Sequence, residues 1–372
     1  MAGTRTPEGA REEGKHPHRA AERRLRRPAA AALALLVFLL IWGVSPQPER
    51  MASAAPVTVP EIPAGTTIPI TTAWGVVSAV FAPIWIAYDK GYFRQYGLDV
   101  TLQRIEGVVQ AQAIISGRIQ IGNVGGAEIL NAQAAGSPME AILQTTDSPV
   151  FEIHSPPTIR SIADLKGKTI GITRTGSSTD MAARVLLKNH GLAPGQDVQL
   201  LNLNEMGAIV AGLKGGVIQG GVLSFPAAAQ ATAAGFPMVA STVDEHVHLQ
   251  QNLVTVMKPY ADAHPAIIFA YLKAYLLGLR DFLQKPEIGY ASISKYGQTD
   301  LAAARASYQA NLPAMNSSHF VNEEGLKTVQ EFGSNPKAAQ VKLANAYDNH
   351  YLRALEESGF FRRIGLNPMA PK

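Results

Sequence analysis

The 372-residue sequence has no cysteine at all. That excludes disulfides, cysteine-ligated zinc, thiol nucleophiles and lipid attachment through an N-terminal cysteine. Metal-ligand spacings are missing as well. The nine histidines form no HExxH or comparable cluster, and His246 and His248, two apart in a polar segment, read as part of a solvated loop. Surplus charge is missing from the body. The formal charge is +4, but residues 1–28 hold eight Arg/Lys against four Asp/Glu, and from Met51 onward the two signs balance at 24 each. A neutral body offers no electrostatic footprint for nucleic acid. Aromatic content is only 7%, yet apolar residues make up 47%, enough for a sizeable core, and the length fits two domains.

The front of the chain is arranged as an export signal. Arg23, Arg24, Arg26 and Arg27 precede an apolar run at 29–44, followed by Pro46, Pro48 and the small-residue site Ala52-Ser53-Ala54. Basic segment, apolar segment and cleavage-type site stand in the order of a secretory signal. The apolar run is short for a membrane span. Two outcomes are open for 1–54, a cleaved signal or a retained N-terminal anchor, and in both the body is exported to the periplasm, free or held at the outer face of the inner membrane. Residues 55–66, rich in Pro, Ala and Thr, read as a linker.

The stretch at 168–191, KTIGITRTGSSTDMAARVLLKNHG, carries the clearest local pattern. Its β-branched start is a buried strand, Thr175-Gly176-Ser177-Ser178 is a small-residue turn, and a helix with Met181, Val185 and Leu186 on one side ends at Gly191 as a C′ glycine. Ser177 and Asp180 stand at capping-box spacing with Asp in place of Glu or Gln. Such a turn presents unpaired N–H groups to a polar ligand atom; the alternative is that its hydroxyls only cap the helix. It is not a phosphate-binding P-loop, because the GxxxxGK[ST] spacing and its lysine are absent. On either side strands and helices alternate, as expected for parallel sheets faced by helices. Strands are expected near 68–72, 99–105, 119–124 and 139–144, and again near 169–173, 198–203, 218–223 and 238–241. From His264 onward the pattern is helical, including one segment over 336–357.

Four stretches resemble one family in the same order. They are PIWIAYDKGYFRQYGLDVTL, AQAIISGRIQIGNVGGAEIL, SIADLKGKTIGITRTGSS and AIVAGLKGGVIQGGVLSFPA, followed by KPYADAHPAIIFAYLKAY. They are similar to the signature segments of periplasmic binding proteins of ABC importers, in the NMT1/THI5-like branch serving nitrate, taurine, alkanesulfonates and thiamine-pyrimidine precursors. Gln120 and Gln219 stand where that family usually has aspartate. The resemblance implies an α/β, two-lobed periplasmic-binding-protein fold of type II, with a ligand cleft between the lobes and a helical C-terminal region. Residues 67–150 and 246–372 are expected to form one lobe and 151–245 the other.

The implied function is capture of a small anionic or polar organic solute (sulfonate, nitrate, carboxylate or pyrimidine-like) for delivery to the permease and ATPase of an ABC importer, by a monomer with neither catalytic residues, metal nor cofactor. Ligands of open α/β sheets bind outside the carboxyl ends of the strands. The expected ligand residues are therefore Trp74, Ser78, Phe81, Glu106, Gly125, Gly126, Thr145, Thr173, Thr175, Gly176, Ser177, Ser178, Ser224 and Phe225. Trp74, Phe81 and Phe225 could cover a ligand or simply pack in the core. Two further functions are weighed: an enzyme on the same fold, such as a desulfinase or pyrimidine synthase, which the lack of cysteine disfavours, and the ligand-binding part of a sensory system.

Overall fold

The computed structural model describes residues 57–367; the expected signal or anchor at 1–54 lies outside them. In chain order the first elements are β1 (Ile68–Trp74), α1 (Ala82–Asp89), α2 (Tyr92–Gln95), β2 (Leu98–Arg104), α3 (Gly107–Ile115), β3 (Ile121–Val124), α4 (Gly126–Ala134) and β4 (Met139–Gln144). The chain then crosses into β5 (Glu152–His154), β6 (Thr169–Ile172), α5 (Ser178–Asn189), β7 (Gln199–Asn202), α6 (Met206–Lys214), β8 (Gly220–Leu223), α7 (Ala227–Ala233) and β9 (Met238–Ser241). It returns through β10 (Leu253–Met257), α8 (Lys258–Ala263), α9 (Pro265–Gln284), α10 (Pro286–Gly297), α11 (Leu301–Met315), α12 (Glu323–Phe332), α13 (His350–Glu357) and α14 (Phe360–Ile364).

Two five-stranded sheets result, ordered β2-β1-β3-β10-β4 and β7-β6-β8-β5-β9. Both are mixed. In each, the first strand after a crossover runs antiparallel inside the sheet: β5 pairs with β8 and β9, and β10 pairs with β3 and β4. Each crossover therefore delivers the chain into the interior of a sheet rather than to its edge. Purely parallel sheets, the expectation from the alternating pattern, do not form. The reason is that β5, with the sequence EIH, is too short and polar to announce a strand, and its pairing is supplied by its neighbours.

The first lobe is organised on α9, most of whose residues are buried. Its tyrosine hydroxyls are satisfied by threonines of the sheet: Tyr271 is 3.0 Å from Thr72 Oγ1 and Tyr275 is 2.8 Å from Thr145 Oγ1. Buried phenols need such partners. α9 lies so close on α1 that a Cβ at Gly278 would stand 2.1 Å from the Pro83 carbonyl oxygen, so glycine alone permits that contact. The helix expected over 336–357 is broken. Short 3-10 turns at Ala338–Gln340 and Leu343–Asn345 precede α13, and residues 346–348 give their backbone to β4 instead, Ala141 N–H donating to Ala346 O at 2.9 Å and Asp348 N–H to Ala141 O at 2.8 Å.

Candidate functional site

A cavity of about 430 Å³ is lined by both halves of the body and by both crossovers. Residues 76–80, after β1, form one wall with Trp85 of α1; Thr146 follows β4; Pro149, Val150 and Phe151 belong to the first crossover, and Gln251 and Asn252 to the second. From the other sheet come Met206, which opens α6, and Ser224, Phe225 and Pro226 after β8. A third wall is the α10–α11 pair, with Ile293, Gly297, Thr299, Ala303, Ser307 and Asn311. The carboxyl ends of β1, β4 and β8 thus meet at one place, as the geometry of open α/β sheets requires.

None of the lining residues is Asp, Glu, Lys, Arg or His. The wall is apolar with isolated hydroxyls and amides. Two of its polar atoms are fully buried and meet no protein partner, Trp85 Nε1 and Thr146 Oγ1. Trp85 is held rigidly for that position. Its ring stacks on Tyr296 at 4.8 Å and 7°, and Trp74 meets it edge-on at 4.9 Å. Tyr296 is itself fixed by donating to Asp89 at 3.0 Å. Ser224 Oγ donates to Met206 Sδ at 3.4 Å, a weak interaction that leaves the hydroxyl available to a better acceptor. The lining holds no paired carboxylates, no imidazole and no thiol, so the cavity has no base to activate its serines. A fixed negative charge enclosed here would lose hydration worth several kcal/mol. The helix starts at the cavity are those of α6, α7 and α11 and the 3-10 turn Ala79–Phe81 that runs into α1, and each would return about 0.3–1 kcal/mol.

Of the residues expected from sequence, Ser78, Ser224 and Phe225 line this cavity. Trp74 and Phe81 stand behind it, packed on Trp85 with ring centroids 4.9 and 6.4 Å away. Thr145 is bonded to Tyr275. Glu106 is exposed and accepts from Arg104 Nη2 at 2.6 Å. Gly125 and Gly126 face the chain itself: Gly126 N–H donates to Gln250 O at 2.9 Å, and Gly125 N–H to Glu128 Oε2 at 3.2 Å. Burial raises the pKa of that Glu128 carboxyl.

The 173–178 turn is also outside the lining, and several of its donors are bonded within the chain. Gly176, at φ +78°, donates its N–H to Asp180 Oδ2 at 2.7 Å. Thr173 N–H goes to Thr179 Oγ1 at 3.0 Å, and Thr175 Oγ1 donates to Asn202 Oδ1 at 3.2 Å. Ser177 caps α5 by accepting from Asp180 N–H at 3.4 Å, and Ser178 is the first residue of α5. Ser334, from the segment after α12, sits 3.1 Å from where a Gly176 Cβ would be. Asp180 thus takes one of the donors in front of this helix start, the Gly176 N–H.

Trp85, Phe151 and the α11 residues Ser307 and Asn311 were not expected from sequence. Trp85 falls mid-helix, where a buried aromatic reads as core. Thr146 did carry a signal, since it follows the carboxyl end of β4.

A family model described as NMT1/THI5 like matches residues 78–288. The chain is 25% identical to the riboflavin-binding protein RibY of Chloroflexus aurantiacus over 76% of this chain and 83% of that protein. It is 27% identical to the taurine-binding periplasmic protein of Escherichia coli over 54% and 62%. A shorter match, 28% identical over 30% of this chain and 34% of the other, is to the 4-amino-5-hydroxymethyl-2-methylpyrimidine phosphate synthase THI11 of Saccharomyces cerevisiae. In fold the chain is similar to the periplasmic aliphatic sulphonate binding protein SsuA from Escherichia coli, with a TM-score of 0.60 at 18% identity, covering 73% of this chain and 86% of that one.

Proposed function

The chain belongs to the NMT1/THI5-like family, and on that premise we propose that it is an extracytoplasmic solute-binding protein. It captures a small organic solute between its two lobes and presents it to the permease of an ABC importer. The observation that carries this reading is the cavity itself. Both sheets, both crossovers and the α10–α11 pair contribute to its wall, the arrangement by which a clamp senses occupancy. The relatives that cover most of this chain are named as binding proteins, which supports the same reading. The export-type front end supports a place outside the cytoplasm. Among the described residues no helix is long and apolar enough to cross a membrane.

An enzymatic role has less behind it. The match to the yeast synthase spans a third of that protein, and the cavity wall offers no ionisable side chain to move a proton. Direct ligand contacts are assigned to Ser78, Ser224 and Phe225, with Trp74, Phe81 and Thr145 supporting the wall from behind.

The test is a thermal-shift screen of the exported body against riboflavin, taurine, alkanesulfonates, nitrate and pyrimidines. A ligand that binds only the folded state raises stability by about 2.7 kcal/mol at a hundredfold over Kd. Turnover of a shifting compound, seen as product by mass spectrometry, would overturn the binding-protein reading.

A further inference from the structure

We propose that α12 is a brace between the two lobes, and that its contact with α5 sets how far they stand apart without solute. The brace deepens the solute-binding reading and rests on it. It acts from outside the cavity, none of whose lining residues belongs to α12.

On both sides of α12 the chain belongs to the first lobe, where residues 346–348 bond to β4, yet α12 packs on both lobes. Its amino end sits on the crossovers. The N-cap Asn322 donates its side-chain N–H to Asp147 Oδ1 at 3.1 Å and its backbone N–H to Gln144 Oε1 at 2.9 Å. Its carbonyl oxygen accepts from Gln250 Nε2 at 3.2 Å. In the middle of the helix, Leu326 and Val329 are buried in one apolar cluster with Ile129 of α4 and Met181 of α5. Apolar burial is non-directional, so packed helices there can slide by small amounts as the lobes turn.

The carboxyl end is different. Lys188, in the last turn of α5, donates to Glu331 Oε1 and lies 5.6 Å from the centre of the Phe332 ring. Beyond it Ser334 stands against Gly176, and Asn335 Nδ2 returns to Asn131 Oδ1 of α4 at 2.7 Å. The side chains of Lys188 and Glu331 are 59% and 52% exposed. Each can return to water when the pair opens, and no charge is left buried without a partner. The contact is therefore releasable. It is also directional: the ion pair and the ring contact both need the separation found here, in which both lobes line the cavity. Breaking it favours wider separations. An exposed pair shifts an equilibrium by at most about fivefold, enough to tune a clamp and too little to lock it.

The experiment is a distance measurement between the lobes. The chain has no cysteine, so Val109→Cys in the first lobe and Val217→Cys in the second, both at exposed positions, accept two spin labels and no other site does. Pulsed electron spin resonance is read on the exported body without solute. Lys188→Glu, which sets two carboxylates against each other, should raise the ratio of wider to native separations about three- to tenfold. Glu331→Lys added to it should restore the native ratio, which a merely local loss of helix stability would not do. A distribution unmoved by Lys188→Glu, a shift toward shorter separations, or a shift that the charge swap leaves in place overturns the brace. Riboflavin, taurine, alkanesulfonates and nitrate added to the labelled parent separate the two levels. If one of them shortens the distance while Lys188→Glu does nothing, the brace falls and the solute-binding reading stands. If none of them moves the distance or raises the unfolding midpoint, and Lys188→Glu does nothing, both fall.

Discussion

Glu140, on β4, is the least comfortable carboxyl among the described residues. It is buried, and its Oε1 meets no hydrogen-bond partner. Burial pushes its pKa from 4.5 to about 7; Lys258 of α8 pulls it down, while Asp348 and Asp262 push it further up. Between those two values the folded state holds a proton that the unfolded state has released. Stability from this group is therefore present at low pH and falls as pH rises from 4.5 through about 7. Glu140→Gln should raise the unfolding midpoint at pH 8, by roughly 2 kcal/mol in stability, and change little at pH 4.5. Chemical denaturation at the two pH values measures this; an equal effect at both would show that the carboxyl does not titrate with folding. The sequence marked other single residues better. Gln120 and Gln219 stood out as departures from a family pattern, and the structure gives them one job in two lobes. Gln120 Oε1 accepts from Thr71 N–H at 2.8 Å and its amide donates to Gly117 O at 2.9 Å. Gln219 does the same with Thr169 N–H and Gly216 O, at 3.3 Å each. An acceptor for the strand's N–H was legible from the family's usual aspartate; the bond to the turn carbonyl comes from the amide N–H, which a carboxylate lacks, and its partner is set by the fold.

At the scale of elements, the start of α5 shows what a local pattern can and cannot tell. Spacing identified the strand, the turn, the cap and the terminating glycine, since each is a property of a few adjacent residues. It could not say that Asp180, the expected capping-box partner, would turn its carboxylate onto Gly176 N–H. Nor could it say that Ser334, far along the chain, would close over the turn. With those donors used internally, the hydroxyls of Thr173, Ser177 and Thr179 form their own cluster at 2.8–3.0 Å. Ser177→Ala should therefore cost stability, about 1 kcal/mol as for other N-caps, and leave solute affinity unchanged. Unfolding of the solute-free variant and calorimetry on any solute found by screening separate the two effects; a loss of affinity larger than the loss of stability would bring the turn into the site. The strands were legible by the same logic where they alternate with helices. β5, EIH, was not, because a short polar strand threaded between two others is decided by the sheet that receives it; β10, LVTVM, carries the β-branched run of a strand, and only its antiparallel direction is set by the sheet.

At the scale of the whole molecule, the crossovers would join a ligand in the cavity to the proposed clamp motion. They run side by side and hold each other: Thr145 N–H donates to Asn252 O at 3.0 Å, and Thr242 N–H to Phe151 O at 2.9 Å. His248 Nδ1 lies 2.9 Å from Asp147 Oδ2 across the same pair. Phe151 and Asn252 also line the cavity, so a solute bound as proposed would touch the crossovers about which the lobes would turn. A solute can shift an open–closed equilibrium only by its difference in affinity for the two states. Here that difference has an evident source. Ser78 and Thr146 lie on one lobe and Ser224 and Phe225 on the other, so the full set of contacts exists only when the lobes are close. Small-angle scattering should accordingly give a smaller radius of gyration at saturating solute than without it. Phe225→Ala, which removes apolar contact from the second lobe alone, should weaken binding at least tenfold and reduce the compaction at equal solute concentration. At full saturation the compaction should return, because the variant shifts the concentration scale and not the closed geometry. A solute that binds with unchanged radius would mean that the lobes are already fixed, and the two crossovers would then be struts rather than hinges.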